Sequence, residues 1–249
     1  MIYKSTMFGF YKSGNSLFHR ILRSIYEQTE IGYTSILNNR ELKFVPFEGY
    51  DQVDHVTYEG DVLGTQKGGG NFERVDKRRL GNSTVIWCHD VITRKHIDEL
   101  VGEKRVGFYL ERDPKQVLLS YAYHSTRLSQ YYEEYKIRDA EEVISNPKII
   151  MGWLDNWKSH VEAIKRFNKL TIVKYENLSG PKKKEEVERI CKKLKVQAGT
   201  EFIETILTKT SKETMSANSP QHIGGRDYKL KFSYGLEKQI EDSLKSLYG

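Results

Sequence analysis

Residues 7–16, MFGFYKSGNS, decide how the chain begins to fold. The first half of this stretch is apolar and predicts a strand, and residues 17–25 repeat apolar side chains on one helical face. Between them KSGNS forms a tight turn, with Asn15 or Ser16 as the predicted helix cap. Such a turn directs backbone N–H groups and a helix N-terminus to one point, and its lysine adds a positive charge. The turn therefore predicts a site for phosphate or sulfate.

The turn differs from the Walker A loop of ATP-binding proteins. That loop has Gly, any four residues, and then Gly-Lys followed by Ser or Thr. Here Lys12 precedes Gly14, and Gly9 lies too close upstream to act as the first glycine. A P-loop-type, ATP-dependent kinase is therefore an alternative interpretation and not the first one.

Composition predicts one globular α/β domain over residues 1–249. A chain of 249 residues can bury one large core or two small ones, and the alternation of strands and helices favours one. Charged residues make up 30%, mean hydropathy is −0.63, and no apolar run reaches membrane-spanning length. The N-terminus lacks a signal-peptide core, and Cys88 and Cys191 lie in apolar contexts without metal-ligand spacing. We expect a cytoplasmic protein with no membrane span and two reduced core cysteines.

The net charge of +6 and the isoelectric point of about 9.0 indicate anionic partners such as nucleotides, nucleic acid, acidic glycans or a membrane surface. A non-enzymatic, basic nucleic-acid-binding protein is thus a second alternative. It is disfavoured because the sequence has no recognisable reader motif, and its basic residues do not form a stripe interleaved with aromatic ones. We expect no nucleic-acid partner.

Strands and helices alternate along the chain. Beyond residues 2–11, strands are predicted over 83–89, 105–111 and 170–175. Helices are predicted over 93–101, 147–167, 182–194 and 200–210, with one starting at Pro114 and one at the C-terminal end. Residues 38–82 lose clear periodicity and contain several glycines, which predicts a long flexible excursion, of the kind that forms a lid, a binding loop or a disordered segment.

Three residues with chemical potential follow three of the predicted strands. Lys12, His89 and Arg112 each stand at the carboxyl end of a strand, and Asp113-Pro114 starts the next helix as N-cap and first residue. In open parallel α/β sheets that edge is where ligands bind. The three residues together predict an anionic ligand with a titratable group beside it.

Several segments, in order from residue 8 to residue 233, resemble those of sulfotransferases that use 3′-phosphoadenosine 5′-phosphosulfate (PAPS). Residues 10–16, FYKSGNS, are similar to the family's 5′-phosphosulfate loop, and residues 111–121, ERDPKQVLLSY, to its 3′-phosphate segment. His89 stands at about the separation from Arg112 seen for the family's catalytic histidine. Residues 174–178, KYENL, resemble the segment beside the adenine, and residues 226–233 resemble a Gly-Asp-Trp-Lys…Phe-Thr stretch. The resemblance implies a central, mostly parallel sheet flanked by helices, a P-loop-like sulfotransferase architecture.

The resemblance also implies the catalytic residues, which are Lys12, His89 and Ser120. Lys12 would bind the bridging and sulfonate oxygens, and Arg112 and Ser120 would hold the 3′-phosphate. His89 would take the proton from the acceptor hydroxyl, with Asp90 orienting it. No metal is required.

The implied cofactor site combines the first turn with residues from three later segments. Its members are Lys12, Ser13, Gly14, Asn15, Ser16, Arg112, Ser120, Tyr175, Gly224, Gly225 and Arg226. Two departures from the family's pattern stand out. Asn15, Ser16 and Leu17 replace two threonines and a tryptophan, and residues 221–223 replace an Arg-Lys-Gly that helps to hold the 3′-phosphate. Arg226, the Gly224 and Gly225 amides, or His222 could replace that contact.

The sequence therefore predicts a PAPS-dependent sulfotransferase that moves a sulfuryl group in line to a hydroxyl acceptor and releases adenosine 3′,5′-bisphosphate (PAP). The expected acceptor is a small molecule or a glycan, and residues 38–82 and 121–135 would shape its pocket. A partial match to the family's C-terminal dimer motif, in residues 229–238, admits a homodimer.

Overall fold

The computed structural model describes residues 1–36, 55–59, 62–67, 71–89, 94–102, 104–125, 139–167, 169–218 and 230–248. Its strands are β1 (Lys4–Gly9), β2 (His55–Glu59), β3 (Val62–Lys67), β4 (Asn71–Arg74), β5 (Val85–Cys88), β6 (Arg105–Glu111) and β7 (Thr171–Lys174). Its helices are α1 (Asn15–Glu27), α2 (Lys77–Asn82), α3 (Arg94–Val101), α4 (Pro114–Ser125), α5 (Ala140–Ile144), α6 (Pro147–Lys165), α7 (Tyr175–Ser179), α8 (Lys183–Lys193), α9 (Thr200–Lys209), α10 (Lys212–Asn218) and α11 (Tyr234–Tyr248).

The strands form one sheet in the order β4-β3-β2-β5-β1-β6-β7. From β2 to β7 every neighbouring pair is parallel, whereas β2–β3 and β3–β4 are antiparallel. The strand β1 lies between β5 and β6, with Phe8 paired to Cys88 on one side and to Tyr109 on the other. The predicted mostly parallel sheet flanked by helices is confirmed. Its consequence is that the carboxyl ends of β5, β1, β6 and β7 share one edge.

Helices cover both faces of the sheet, which explains why its central strands are apolar almost throughout. On β1 the fully buried Met7 packs into the core formed with α1, α8 and α9, and the next residue, Phe8, packs into the core formed with α3, α4, α5, α6 and α11. Trp153 and Trp157 belong to this second core, as the sequence predicts, and Cys88 and Cys191 are buried and unbridged. No helix in the described part of the chain is long and apolar enough to span a membrane.

The predicted side-chain cap of α1 was wrong. Gly14 occupies the N-cap position in the left-handed conformation, with φ 96°, and no side chain caps the helix. The Asn15 amide turns into the protein instead, where its Nδ2 donates to the Phe10 carbonyl over 2.8 Å. Asn15, which the sequence pattern predicts as a helix cap, therefore lies inside the turn instead.

The prediction of an excursion over residues 38–82 was wrong for the part that the structure describes, which begins at residue 55. Residues 55–59, 62–67 and 71–74 form β2, β3 and β4, and residues 77–82 form α2. Each strand is only four to six residues long. So short a strand gives little periodicity in sequence, and it is stabilised here by pairing with its neighbours. The rest of that prediction lies outside the described residues.

Candidate active site

The carboxyl edge of the parallel strands brings four chemically active side chains to one end of the sheet. His89 follows β5, Lys12 follows β1, Arg112 follows β6 and Tyr175 follows β7. Because β5, β1, β6 and β7 are successive neighbours in the sheet, these residues lie in one row. The order of the strands changes direction at β1, which is where ligands bind in open α/β sheets.

The turn after β1 presents a helix N-terminus at this edge. Lys12 and Gly14 both have a positive φ, of 63° and 96°. The Ser13 amide donates to the Phe10 carbonyl over 3.2 Å, so it is used within the turn. The first N–H groups of a helix have no partner within the helix, and no side chain caps α1. The start of α1, at residues 14–16, therefore favours an anion.

Arg112 is a buried cation beside this turn. Its side chain is 8% exposed, and its Nη1 donates to the Lys12 carbonyl over 2.7 Å. Its guanidinium carbon lies 4.3 Å from the centre of the Tyr175 ring. Its Nε is buried without a hydrogen bond, and no carboxylate among the described residues forms a salt bridge with it. Burial of a charge is costly unless a counter-charge binds it, so this arrangement favours an anion.

The Tyr175-Glu176 pair joins the first turn to the end of β6. A Cβ on Gly14 would lie 2.2 Å from Tyr175 Cδ2, so only glycine lets the ring approach this closely. Glu176 Oε1 accepts a hydrogen bond from the Asp113 amide over 3.1 Å. Asp113 Oδ1 in turn accepts from the Gln116 amide over 3.0 Å, which makes it the predicted N-cap of α4.

His89 is held by the backbone of β1. Its Nδ1 lies 2.7 Å from the Gly9 carbonyl oxygen. A carbonyl only accepts hydrogen bonds, so Nδ1 carries the proton and Nε2 carries the lone pair. Asn15 Nδ2 lies 3.3 Å from the same nitrogen and donates to the Phe10 carbonyl. His89 is therefore fixed as the tautomer that can accept a proton at Nε2.

The surroundings of His89 keep it neutral. Burial lowers its pKa well below the ordinary value of 6.5, and electrostatic interactions with His55, His160 and Lys12 lower it further. The hydrogen bond to the Gly9 carbonyl acts in the opposite direction and raises the pKa. At neutral pH the imidazole is therefore a proton acceptor.

Some residues assigned from the sequence stand outside this network of contacts. Ser120 is buried on α4 and Ser16 is half-buried on α1, and the contacts above include neither. Asp90, His222, Gly224, Gly225 and Arg226 lie outside the described residues. Among the described residues no group of three or more His, Cys, Asp or Glu side chains could hold a metal ion.

Sequence reasoning missed three residues at this edge. Glu176 stands in the quoted KYENL segment, and Tyr11 in the FYKSGNS turn, but neither was assigned a role. His55, whose ring centre lies 5.0 Å from that of His89, belongs to β2. The segment that contains it showed no periodic pattern, so only the pairing of β2 with β5 places it there.

Comparison with known proteins gives one family and one fold. A family model described as "Sulfotransferase domain" matches residues 107–239, more than half of the chain. The structure of mouse sulfotransferase SULT7A1 complexed with PAP is similar at a TM-score of 0.60 and 14% identity, over 98% of this chain and 83% of that one. The structure of retinol dehydratase in complex with androsterone and inactive cofactor PAP is similar at a TM-score of 0.58 and 14% identity. The match covers 97% of this chain and 79% of that one. At this identity the structural likeness concerns the fold alone. A search of curated proteins finds no significant match.

Replacing Gly14 by Ala should destabilise the fold, because the position has a φ of 96° and the new Cβ would overlap the Tyr175 ring. Gly32→Ala is the matched control, since Gly32 has a φ of 61° but a Cβ added there would meet nothing within 4 Å. We expect Gly14→Ala to lower the free energy of unfolding by about 1 kcal/mol more than the control, as measured by urea unfolding. In a Tyr175→Ala background the difference should shrink, and a difference that persists there would contradict the ring contact.

The pKa of His89 should be below 6.5 in the folded protein, measured by NMR titration of imidazole nitrogens. Because the unfolded chain then binds the proton more readily, the free energy of unfolding should fall as the pH drops below 6.5. His89→Gln should weaken this dependence. A pKa at or above 6.5 would contradict the burial and charge arrangement described above.

Proposed function

The chain belongs to the sulfotransferase domain family, and we propose that it transfers a sulfuryl group from PAPS to a hydroxyl acceptor. The observation that carries the proposal is Arg112, a buried guanidinium without a carboxylate partner among the described residues, beside the uncapped start of α1. The two anionic ends of PAPS suit these two positive centres. The neutral His89 on the neighbouring strand suits a reaction that also needs a base.

Residues at the carboxyl edge of the sheet would each bind a different part of the nucleotide. Arg112 would hold the 3′-phosphate through its guanidinium, and the amides of residues 14–16 would bind the 5′-phosphate. The Tyr175 ring, placed between Gly14 and Arg112, would lie beside the adenosine. Ser120, Ser13 and residues 224–226 complete the set proposed from the family resemblance.

Transfer needs in-line positioning and compensation of charge on the leaving oxygen. PAPS supplies the sulfuryl group and leaves as PAP. The Lys12 ammonium would offset the negative charge that develops on the leaving phosphate oxygen. His89 would accept the acceptor's hydroxyl proton at Nε2, while the acceptor oxygen forms the new bond to sulfur. The fixed Nδ1–H to Gly9 carbonyl bond keeps Nε2 as the basic nitrogen throughout.

The acceptor is proposed to be a small molecule or a glycan with an accessible hydroxyl group. The related structures include retinol dehydratase in complexes with androsterone and with retinol. In this chain Tyr11 stacks on His89 and Tyr121 stacks on Tyr11, so aromatic surface lies beside the proposed base.

Calorimetric titration with PAP, ATP and AMP, without magnesium, tests the nucleotide site. We expect PAP to bind most tightly. Arg112→Ala should weaken PAP binding roughly 10- to 100-fold, since a charge-assisted hydrogen bond is worth about 1.5–3 kcal/mol. Arg23→Ala, at an arginine that pairs with Glu27 on α1, is the matched control and should leave the affinity unchanged. A preference for ATP would instead favour a kinase, and equal losses in both variants would contradict the site.

His89→Gln tests the base. A positioned general base contributes roughly 10²- to 10⁴-fold to a rate, so sulfuryl transfer from PAPS should fall by that factor. The affinity for PAP should stay the same, because His89 is assigned to the acceptor proton and not to the nucleotide. A rate equal to that of the unmodified protein would remove His89 from the mechanism.

A further inference from the structure

Tyr11 covers one face of His89. The two rings are stacked, with centres 4.6 Å apart and planes 21° from parallel. Tyr11 is 43% exposed, so it buries only part of its own surface. The stacked contact with His89 is therefore made by a ring that also remains open to solvent.

The Tyr11 ring is itself supported from the helical side. Its centre lies 6.2 Å from that of Tyr121 on α4, with planes 19° apart. Tyr121 in turn packs against Trp153 on α6, with ring centres 4.3 Å apart, and Trp153 is 8% exposed. A continuous row of rings thus connects His89 to the core under α6.

The other contacts of His89 define its orientation, and burial together with the nearby titratable groups disfavours its charged form. The Gly9 carbonyl binds Nδ1, and Trp87 meets the ring at 4.6 Å between centres and at 68° between planes. No carboxylate hydrogen-bonds to His89 among the described residues. The charged or titratable groups that face it are Lys12 from the first turn, His55 from β2 and His160 from α6, together with the Tyr11 phenol.

An imidazolium on His89 therefore has few stabilising neighbours. The face of an aromatic ring carries negative electrostatic potential and attracts a cation within about 6 Å of its centre. The stacked Tyr11 ring meets this condition, whereas Lys12, His55 and His160 disfavour the imidazolium. Of the contacts above, the Gly9 carbonyl and the Tyr11 face are the ones that favour the protonated state.

We propose that Tyr11 is a positioning residue for His89, whose ring face holds the imidazole in plane and stabilises the imidazolium formed when His89 accepts the acceptor's proton. The inference rests on the proposed function, because it takes His89 as the base. In this proposal the aromatic ring of Tyr11, and not its phenol hydroxyl, stabilises the His89 imidazolium. Tyr11→Phe should therefore preserve it and Tyr11→Leu should remove it.

The test compares Tyr11→Leu and Tyr11→Phe in the full chain. Tyr11→Leu should lower the His89 pKa in an NMR titration without ligand, and should lower kcat roughly 3- to 30-fold, the factor expected for one cation–π contact. PAP affinity should be unchanged. Tyr11→Phe should stay within about twofold of the unmodified protein in kcat. Tyr234→Leu, at a tyrosine that is 84% exposed on α11, is the matched control.

Three results would overturn the proposal. The first is a Tyr11→Leu variant with unchanged His89 pKa and unchanged kcat. The second is an equal loss in Tyr11→Leu and Tyr11→Phe, which would assign the effect to the hydroxyl. The third is weaker PAP binding with an unchanged His89 pKa, which would place Tyr11 in the nucleotide site. If the unmodified protein fails to bind PAP, the proposed function fails, and the NMR comparison still decides whether Tyr11 acts on His89.

Discussion

The left-handed turn at residues 12–14 is the constraint on which the rest of the site depends. The positive φ values of Lys12 and Gly14 reverse the chain directly after β1 and start α1 without a side-chain cap. The same turn points the Lys12 carbonyl at Arg112 and opens space above Gly14 for the Tyr175 ring. A residue with a side chain at position 14 would have to move that ring, and Arg112 would lose the aromatic face on which it rests.

Electrostatics and the turn together explain the chemistry of the edge. A helix N-terminus, a buried guanidinium and a lysine stand close together, and the nearby carboxylate of Glu176 is engaged elsewhere, by the Asp113 amide. The same positive charge helps to keep His89 neutral, because Lys12 and the neighbouring histidines disfavour an imidazolium. An arrangement that attracts an anion thereby also maintains a proton acceptor beside it, and binding of the anion would reduce the repulsion.

Four of the five parallel strands, β1, β5, β6 and β7, were predictable because their apolar runs are visible in the sequence. The strands β1, β5 and β6 are packed between two helical layers, and β7 lies at the edge of the sheet. Helices separate these strands along the chain, so each gives a clear local signal. The strands β2, β3 and β4 were missed because four to six residues of mixed polarity carry little periodicity and their stability comes from pairing. The single domain over residues 1–249, the homodimer and the cytoplasmic location stay predictions.

The sequence by itself determined the alternation of strands and helices, the tight turn between β1 and α1, and the placing of Lys12, His89 and Arg112 after three strands. These are local properties, since each depends on neighbouring residues and on the period of the side chains. Only the tertiary structure decided the tautomer of His89, the stacking of Tyr11 on it, the bond from Arg112 to the Lys12 carbonyl and the use of Asn15 inside the turn. Those contacts join residues up to 100 positions apart along the chain. Apart from the Asn15 bond, which lies within the turn, their partners are set by which strands lie side by side, and no local pattern records that order.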